Sequence, residues 1–179
     1  MPTRVLVIGG QRSGKSRYAE GLVVASGLAP VYVASAAAGD GEMRKRIAMH
    51  RARRGANWRT VEEPLDLAAA LLRESGPGFH VLADCLTVWL SNVMAAERDV
   101  AAETDALVAA LARVTGPVVL VSNEVGQGIV PDNALARRFA DELGILNQRL
   151  AEAVDRVVLV TAGLPLVLKA EQPNTEAII

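Results

Sequence analysis

Arg4-Val5-Leu6-Val7-Ile8-Gly9-Gly10-Gln11-Arg12-Ser13-Gly14-Lys15-Ser16 is the stretch on which the reading of the whole chain turns. Its first five residues are apolar after Arg4 and do not alternate, the pattern of a strand buried on both faces of a parallel sheet. Gly9 to Ser16 then match G-x-x-x-x-G-K-[ST] in full, which a random chain of this size would do about once in 150. The order strand, glycine loop, helix is what a phosphate-binding loop requires. Backbone N–H groups of Gly9, Gly10, Gln11, Arg12, Ser13 and Gly14 lie at a helix N-terminus, where they can cradle phosphate oxygens. Lys15 reaches the outer phosphates, and the Ser16 hydroxyl is placed for Mg²⁺. A glycine-rich structural turn would explain the glycines, but not Lys-Ser at that place.

Working outward, apolar runs alternate with helical patterns. Ser16–Ser26 reads as a helix stopped by Gly27, and Val31–Ala34 as a second strand. Gly39–Gly41 is a loop, Glu42–Arg54 a charged helix closed by Gly55, and Trp58–Val61 a short strand. Pro64–Ser75 is a helix and Val81–Asp84 a strand. Leu86–Glu97 and Ala101–Val114 are helices, and Pro117–Ser122 is a strand. A loop over Gly126–Pro131 leads into a helix from about Asn133 to Ala153. Arg156–Thr161 is a strand, and Leu164–Lys169 a weaker one. Strands separated by helices predict one doubly wound α/β domain over residues 1–169, with a loose tail at 170–179. In such a sheet the ligand sits at the carboxyl ends of the strands.

Composition narrows the function. The 179 residues are 51% hydrophobic and 22% charged, with aromatics at 3%, so the core is aliphatic. Nineteen basic residues against twenty acidic ones give a net charge of −1, which argues against a nucleic-acid binder. A single cysteine, Cys85, excludes an internal disulfide, and two histidines, His50 and His80, leave little for a metal cluster. The uncharged stretch from Gly21 to Gly39 is broken by Gly27 and Pro30, so it predicts helix, turn and strand rather than a membrane span. With no signal-peptide core, the expected location is the cytoplasm.

Two further places carry chemistry. In Val81-Leu82-Ala83-Asp84 the acid stands at the carboxyl end of a strand, where it would hold Mg²⁺ through its water shell. A helix N-cap is the other reading of Asp84. In Glu42–Arg54, Arg46, His50 and Arg54 fall on one helical stripe, with Arg51 and Arg53 to either side. Beside a triphosphate those arginines would neutralise phosphate charge and, by like charge, depress the His50 pKa, leaving a neutral nucleophile. A solvated basic face with an incidental histidine fits the same residues. His80 reads as structural, sitting before a strand at the end away from the ligand, and Cys85 as a small buried residue.

Taken together the residues resemble a known family. The blocks are Gly9–Glu20; Arg46-Ile47 with His50 and Arg54; Trp58–Pro64; Asp84–Asn92; Ser122–Pro131; and Ala162–Lys169. They are similar to the bifunctional adenosylcobinamide kinases/adenosylcobinamide-phosphate guanylyltransferases of cobalamin biosynthesis, over nearly the whole chain. The resemblance implies a single-domain, RecA-like P-loop fold with a mainly parallel sheet flanked by helices, and a homotrimer. It implies two reactions. Adenosylcobinamide is phosphorylated with ATP or GTP. GMP then passes from GTP to that phosphate through a GMP-histidine, giving adenosylcobinamide-GDP and pyrophosphate. The family's nucleophile falls on His50. Nucleotide contacts are implied for the phosphate loop, Ala34, Ser35, Ala36, Arg51, Ala52, Arg53, Arg54, Glu62 and Asp84, with Ser16 and Asp84 on Mg²⁺.

The chemistry agrees with those residue types. A neutral imidazole attacking the α-phosphorus splits one transfer into two. Asp84 and Glu62 are the carboxylates that could serve as base in the kinase step. The alternative is a P-loop kinase of a small metabolite without nucleotidyl transfer. A guanine-nucleotide switch is disfavoured, since no Asn-Lys-x-Asp motif is present and no Asp-x-x-Gly follows the Asp84 strand. No membrane insertion and no nucleic-acid partner are expected.

Overall fold

The Val-rich runs form the middle of a seven-stranded sheet in a computed structural model that describes residues 3–36 and 57–170. In chain order the elements are β1 (Arg4–Ile8), α1 (Lys15–Ala25), β2 (Ala29–Ala34), β3 (Arg59–Glu62), α2 (Leu67–Glu74), β4 (Phe79–Asp84) and α3 (Leu86–Ala95). They continue with α4 (Val100–Leu111), β5 (Val118–Val121), α5 (Ala134–Ala153), β6 (Arg156–Thr161) and β7 (Leu164–Lys169). The spatial order is β3-β2-β4-β5-β1-β6-β7. All pairings are parallel except β6 with β7, which form an antiparallel edge hairpin. The helix expected over Glu42–Arg54, with its loop, and the tail at 171–179 lie outside the described residues.

Non-alternating apolar strands need cover on both faces, and both are covered. Leu6, Val31, Val33, Val81, Ala83, Val118 and Leu120 face a core closed by α2, α3, α4 and α5. Val5, Val7, Tyr32, Leu82, Val119, Val121 and Val158 face the other way, onto Ala19 and Val23 of α1. Each fully buried aliphatic side chain of this kind contributes about 1.5–3 kcal/mol. Trp89, the largest buried side chain, has its indole satisfied: Nε1 donates to the Leu65 carbonyl at 2.7 Å. Arg4 and Asp155 bind through two side-chain hydrogen bonds of 2.9 and 3.0 Å and tie the start of β1 to the start of β6.

Element boundaries differ from the sequence reading by a few residues, and two differences have physical reasons. β4 begins at Phe79, so His80 lies inside the strand rather than before it, paired in register with Pro30 of β2. Pro30 has no N–H to give, and the pattern-based start at Val81 missed two residues whose partner is a proline-bearing strand. β7 keeps its expected bounds but is exposed along its length, because it closes the sheet as an edge hairpin rather than entering the parallel core.

His80 is buried, and its Nδ1 lies 2.9 Å from the Ser26 hydroxyl, joining the amino end of β4 to the end of α1. Burial lowers its pKa from 6.5 to about 4. The depressed value means that the folded state resists protonation. The associated stability is complete above pH 6.5 and is lost as pH falls from 6.5 towards 4. His80→Gln is expected to flatten the acid limb of stability over that window, by up to about 3 kcal/mol. Urea midpoints at pH 7 and pH 4.5 measure this, and an unchanged acid limb would show that His80 is not its source.

Candidate active site

The loop from Gly9 to Ser13 connects β1 to α1 at the topological switch point, since β5 and β6 flank β1 on opposite sides. Its geometry leaves little freedom. A Cβ at Gly9 would run into the Val160 carbonyl oxygen and the Ser13 hydroxyl. Gly14, the residue before α1, has φ of 97°, a left-handed backbone that side chains rarely adopt. The loop is pinned on both sides: Glu124 N–H donates to Gly9 O at 3.1 Å, and Gly163 N–H donates to Ser13 O at 2.8 Å. Lys15 is 9% exposed and folds over its own loop, its Nζ donating to Gly10 O at 3.2 Å.

Parallel register brings three sequence-predicted residues onto one rung. Ala34 pairs with both Glu62 and Asp84, at the carboxyl ends of β2, β3 and β4. On the same rung Asp84 pairs with Val121 of β5, which pairs with Val7 of β1. One strand thus lies between the phosphate-loop strand and the strand that ends in the acid. Asp84 and Lys15 converge electrostatically on the Cys85 thiol. Its pKa is pushed up first by burial and then by the Asp84 carboxylate, against the Val88 N–H, the Thr87 hydroxyl and Lys15. The N-cap position of α3 is occupied by Cys85, so Asp84 is not that helix's cap.

Ser35 is 2% exposed and its hydroxyl serves the backbone, donating to Cys85 O at 2.7 Å and accepting from Cys85 N–H at 3.1 Å. Asn92 adds a second tie, from its Nδ2 to Ser35 O at 2.8 Å and Pro64 O at 3.0 Å. These bonds hold the ends of β2 and β4 at the mouth of the site. Ala36 follows there, while His50, Arg51, Ala52, Arg53 and Arg54 lie outside the described residues.

Among the described residues no cluster of three or more His, Cys, Asp and Glu could enclose a metal. Mg²⁺ beside a triphosphate does not need one, because one or two protein ligands suffice when phosphates and water supply the rest. Ser16, in the first turn of α1, and Asp84, near enough to act on Cys85 together with Lys15, are donors of the right chemistry. A cavity of about 590 Å³, lined by Arg59, Arg73, Glu74, Ser75, Gly76 and Phe79, is at the amino ends of the strands, away from the phosphate loop.

A model of the family "cobinamide kinase / cobinamide phosphate guanyltransferase" matches residues 5–168, every element from β1 to β7. The chain belongs to this family. It is 52% identical over 170 residues to the bifunctional adenosylcobalamin biosynthesis protein CobP of Pseudomonas aeruginosa, covering 94% of this chain and 98% of the relative. The proteins of that description called CobU are 41% identical in Salmonella typhimurium and 40% in Escherichia coli, each covering 92% of this chain and 99% of the relative. Two solved structures at low identity share the fold. An ATPase of a bacterial type III secretion system superposes with a TM-score of 0.54 at 11% identity, over 89% of this chain and 51% of its own. The flagellar accessory protein FlaH of Methanocaldococcus jannaschii superposes at 0.52 and 11% identity, over 94% and 79%.

Side chains at the end of β5 were not singled out as site residues by the sequence. Thr87, Asn123 and Asn147 meet there. A signal existed for Asn147: Leu143, Leu146 and Leu150 form the buried stripe of α5, and an amide in that stripe lacks a packing reason.

Proposed function

We propose that this chain is a bifunctional transferase that phosphorylates adenosylcobinamide with ATP or GTP and then transfers GMP from GTP to the new phosphate. The observation that carries this reading is the phosphate loop, with Lys15 over it and Asp84 on the neighbouring rungs, in a chain whose whole sheet falls within the family match. In the kinase step the acceptor hydroxyl forms a bond to the γ-phosphorus and the bond to the β-phosphate oxygen breaks. The loop N–H groups and Lys15 hold the triphosphate and stabilise charge on the transferring group. In the second activity a neutral His50 nitrogen attacks the α-phosphorus of GTP and pyrophosphate leaves. The corrinoid phosphate then attacks the same phosphorus, the P–N bond breaks, and adenosylcobinamide-GDP is released.

Arg51, Arg53 and Arg54 surround the phosphates in this reading, and Ala34, Ser35, Ala36, Ala52 and Glu62 line the nucleotide. Mg²⁺, held by Ser16 and Asp84, supplies charge neutralisation at the phosphates when bound. Asp84→Asn is expected to raise the Mg²⁺ concentration for half-maximal activity about tenfold or more while melting within a few degrees of wild type. A metal titration measures it, and an unchanged midpoint would remove Asp84 from the metal site.

The nucleotide substrates favour the cytoplasm, and among the described residues no helix is long and apolar enough to cross a membrane. Self-association, as a homotrimer in this reading, fits the apolar surface on the single chain. Leu164, Leu166, Val167 and Leu168 of β7 are all exposed, as are Ile129 and Val130. The two-step reading is tested by incubating the protein with adenosylcobinamide, ATP, GTP and Mg²⁺ and following products by mass. It predicts adenosylcobinamide phosphate, then adenosylcobinamide-GDP with one pyrophosphate each. Arrest at the phosphate in the presence of GTP would leave only the small-metabolite kinase.

A further inference from the structure

The hydrogen-bond ladder from β5 to β1 continues past the carboxyl ends of both strands. Val118 N–H donates to Thr3 O at 3.0 Å, Ser122 N–H to Val7 O at 2.9 Å and Glu124 N–H to Gly9 O at 3.1 Å. Even-numbered residues thus face β1 as far as the phosphate loop. Asn123 N–H points the other way and donates to Thr87 Oγ1 at 3.1 Å, three residues past Asp84. Asn123 therefore continues the extended strand, and alternation puts its side chain on the face of Val119 and Val121. That face packs on Ala19 and Val23 of α1, the helix that Lys15 opens. Leu82 shares it, and so by the same alternation does Asp84.

Asn123 thus stands between the phosphate loop and Asp84, on the face where both act. Its carbonyl is fixed as well, accepting from Asn147 Nδ2 at 3.0 Å. The side-chain amide is turned with Oδ1 buried. Nδ2 is the end that reaches the surface, and it bonds nothing among the described residues. A donor held this firmly suits a group that only accepts, and the oxygens of an ionised phosphate only accept. Which phosphate it meets follows from Lys15. Its Nζ lies on Gly10 O and marks the outer-phosphate end of the loop, and Gly9 beside it is the residue bonded to Glu124 N–H.

We infer that Asn123 Nδ2 donates to an oxygen of the γ-phosphoryl group and so distinguishes a nucleoside triphosphate from a diphosphate. This rests on the two-step reading above. In the kinase step the acceptor oxygen bonds to the γ-phosphorus and the bond to the β-phosphate oxygen breaks. The nucleoside diphosphate leaves with that electron pair, and the acceptor's proton passes to an oxygen of the transferred phosphoryl group. Asn123 gives up no proton. Its contribution is a fixed dipole on the oxygens of the group in transit, opposite the charge of Lys15.

The test measures Kd for ATP and for ADP with Mg²⁺ and no acceptor, and kinase kcat with adenosylcobinamide, in wild type, Asn123→Ala and Asn123→Asp. Asn123→Ala is expected to bind ATP about tenfold more weakly and ADP within about twofold of wild type, because the lost hydrogen bond goes to a charged group that only ATP carries. Its kinase kcat falls about 10- to 100-fold. Asn123→Asp keeps the size and shape but sets a carboxylate against the phosphate, so ATP binding falls about 30-fold or more, with a smaller effect on ADP. Unchanged ATP binding and kcat in Asn123→Ala overturn the inference. So does equal weakening of ATP and ADP, which marks a structural role, and so does an Asn123→Asp protein as active as wild type. Should Asn123→Ala fail to fold, Asn123→Asp decides by the same ATP-to-ADP comparison. A wild type that binds ATP without phosphorylating adenosylcobinamide would sink the two-step reading, and the ATP-to-ADP comparison would still decide the contact.

Discussion

Lys15→Ala is expected to abolish both reactions, lowering each by about a thousandfold or more, while the protein stays folded. Lys15 is the ammonium that lies over the phosphate loop, with its Nζ on Gly10 O. In the presence of nucleotide, that charge is the one the sequence places on the outer phosphates, where negative charge shifts during phosphoryl transfer. Removing a preorganised charge of this kind costs several kcal/mol of transition-state stabilisation, which sets the scale of the loss. The fold is expected to survive because the loop is held by backbone bonds, from Glu124 N–H to Gly9 O and from Gly163 N–H to Ser13 O, that do not involve the lysine side chain. Circular dichroism together with both activity assays checks this. A folded Lys15→Ala protein with normal kinase turnover would remove the phosphate loop from the mechanism.

His50→Ala is expected to divide the two activities. Guanylyl transfer falls below detection, since the step needs a nucleophile that no other residue supplies. The kinase reaction keeps a tenth or more of its rate, because transfer to a hydroxyl needs positioning and charge stabilisation, which the loop provides. His80 is the internal control. It is buried at the amino end of β4, bonded to Ser26, at the opposite end of the strands from the phosphate loop. His80→Ala should therefore leave guanylyl transfer in place under conditions where it folds. Equal loss of guanylyl transfer in the two variants would contradict the assignment to His50.

Much of the site was legible because parallel sheets turn sequence order into spatial order. The run Val81-Leu82-Ala83-Asp84 predicts an acid at a strand's carboxyl end, and the register then sets Asp84 level with Ala34 and Val121. The non-alternating Val-rich runs predict burial on two faces, and β1, β4 and β5 are buried on both. What escaped were relations between distant segments. Ser35 was expected near nucleotide on resemblance alone, yet its hydroxyl binds the Cys85 backbone, fifty positions away in sequence. The partnership of Asn123 with Asn147 crosses a loop and half a helix. Neither amide forms a local motif, so no spacing rule could join them. β4 starts two residues before the expected Val81, taking in His80, because an apolar run marks a strand's middle better than its ends.

One chain is expected both to use the phosphate loop and to form a covalent bond to nucleotide at His50. The most direct measurement is to incubate the protein with Mg²⁺ and GTP labelled at either the α- or the γ-phosphate, then isolate the protein and digest it. Stable label is expected from α-labelled GTP only, acid-labile and base-stable as a phosphoramidate is, on the peptide carrying His50, with one pyrophosphate released per label. No protein-bound label, or label on a peptide without His50, would contradict it.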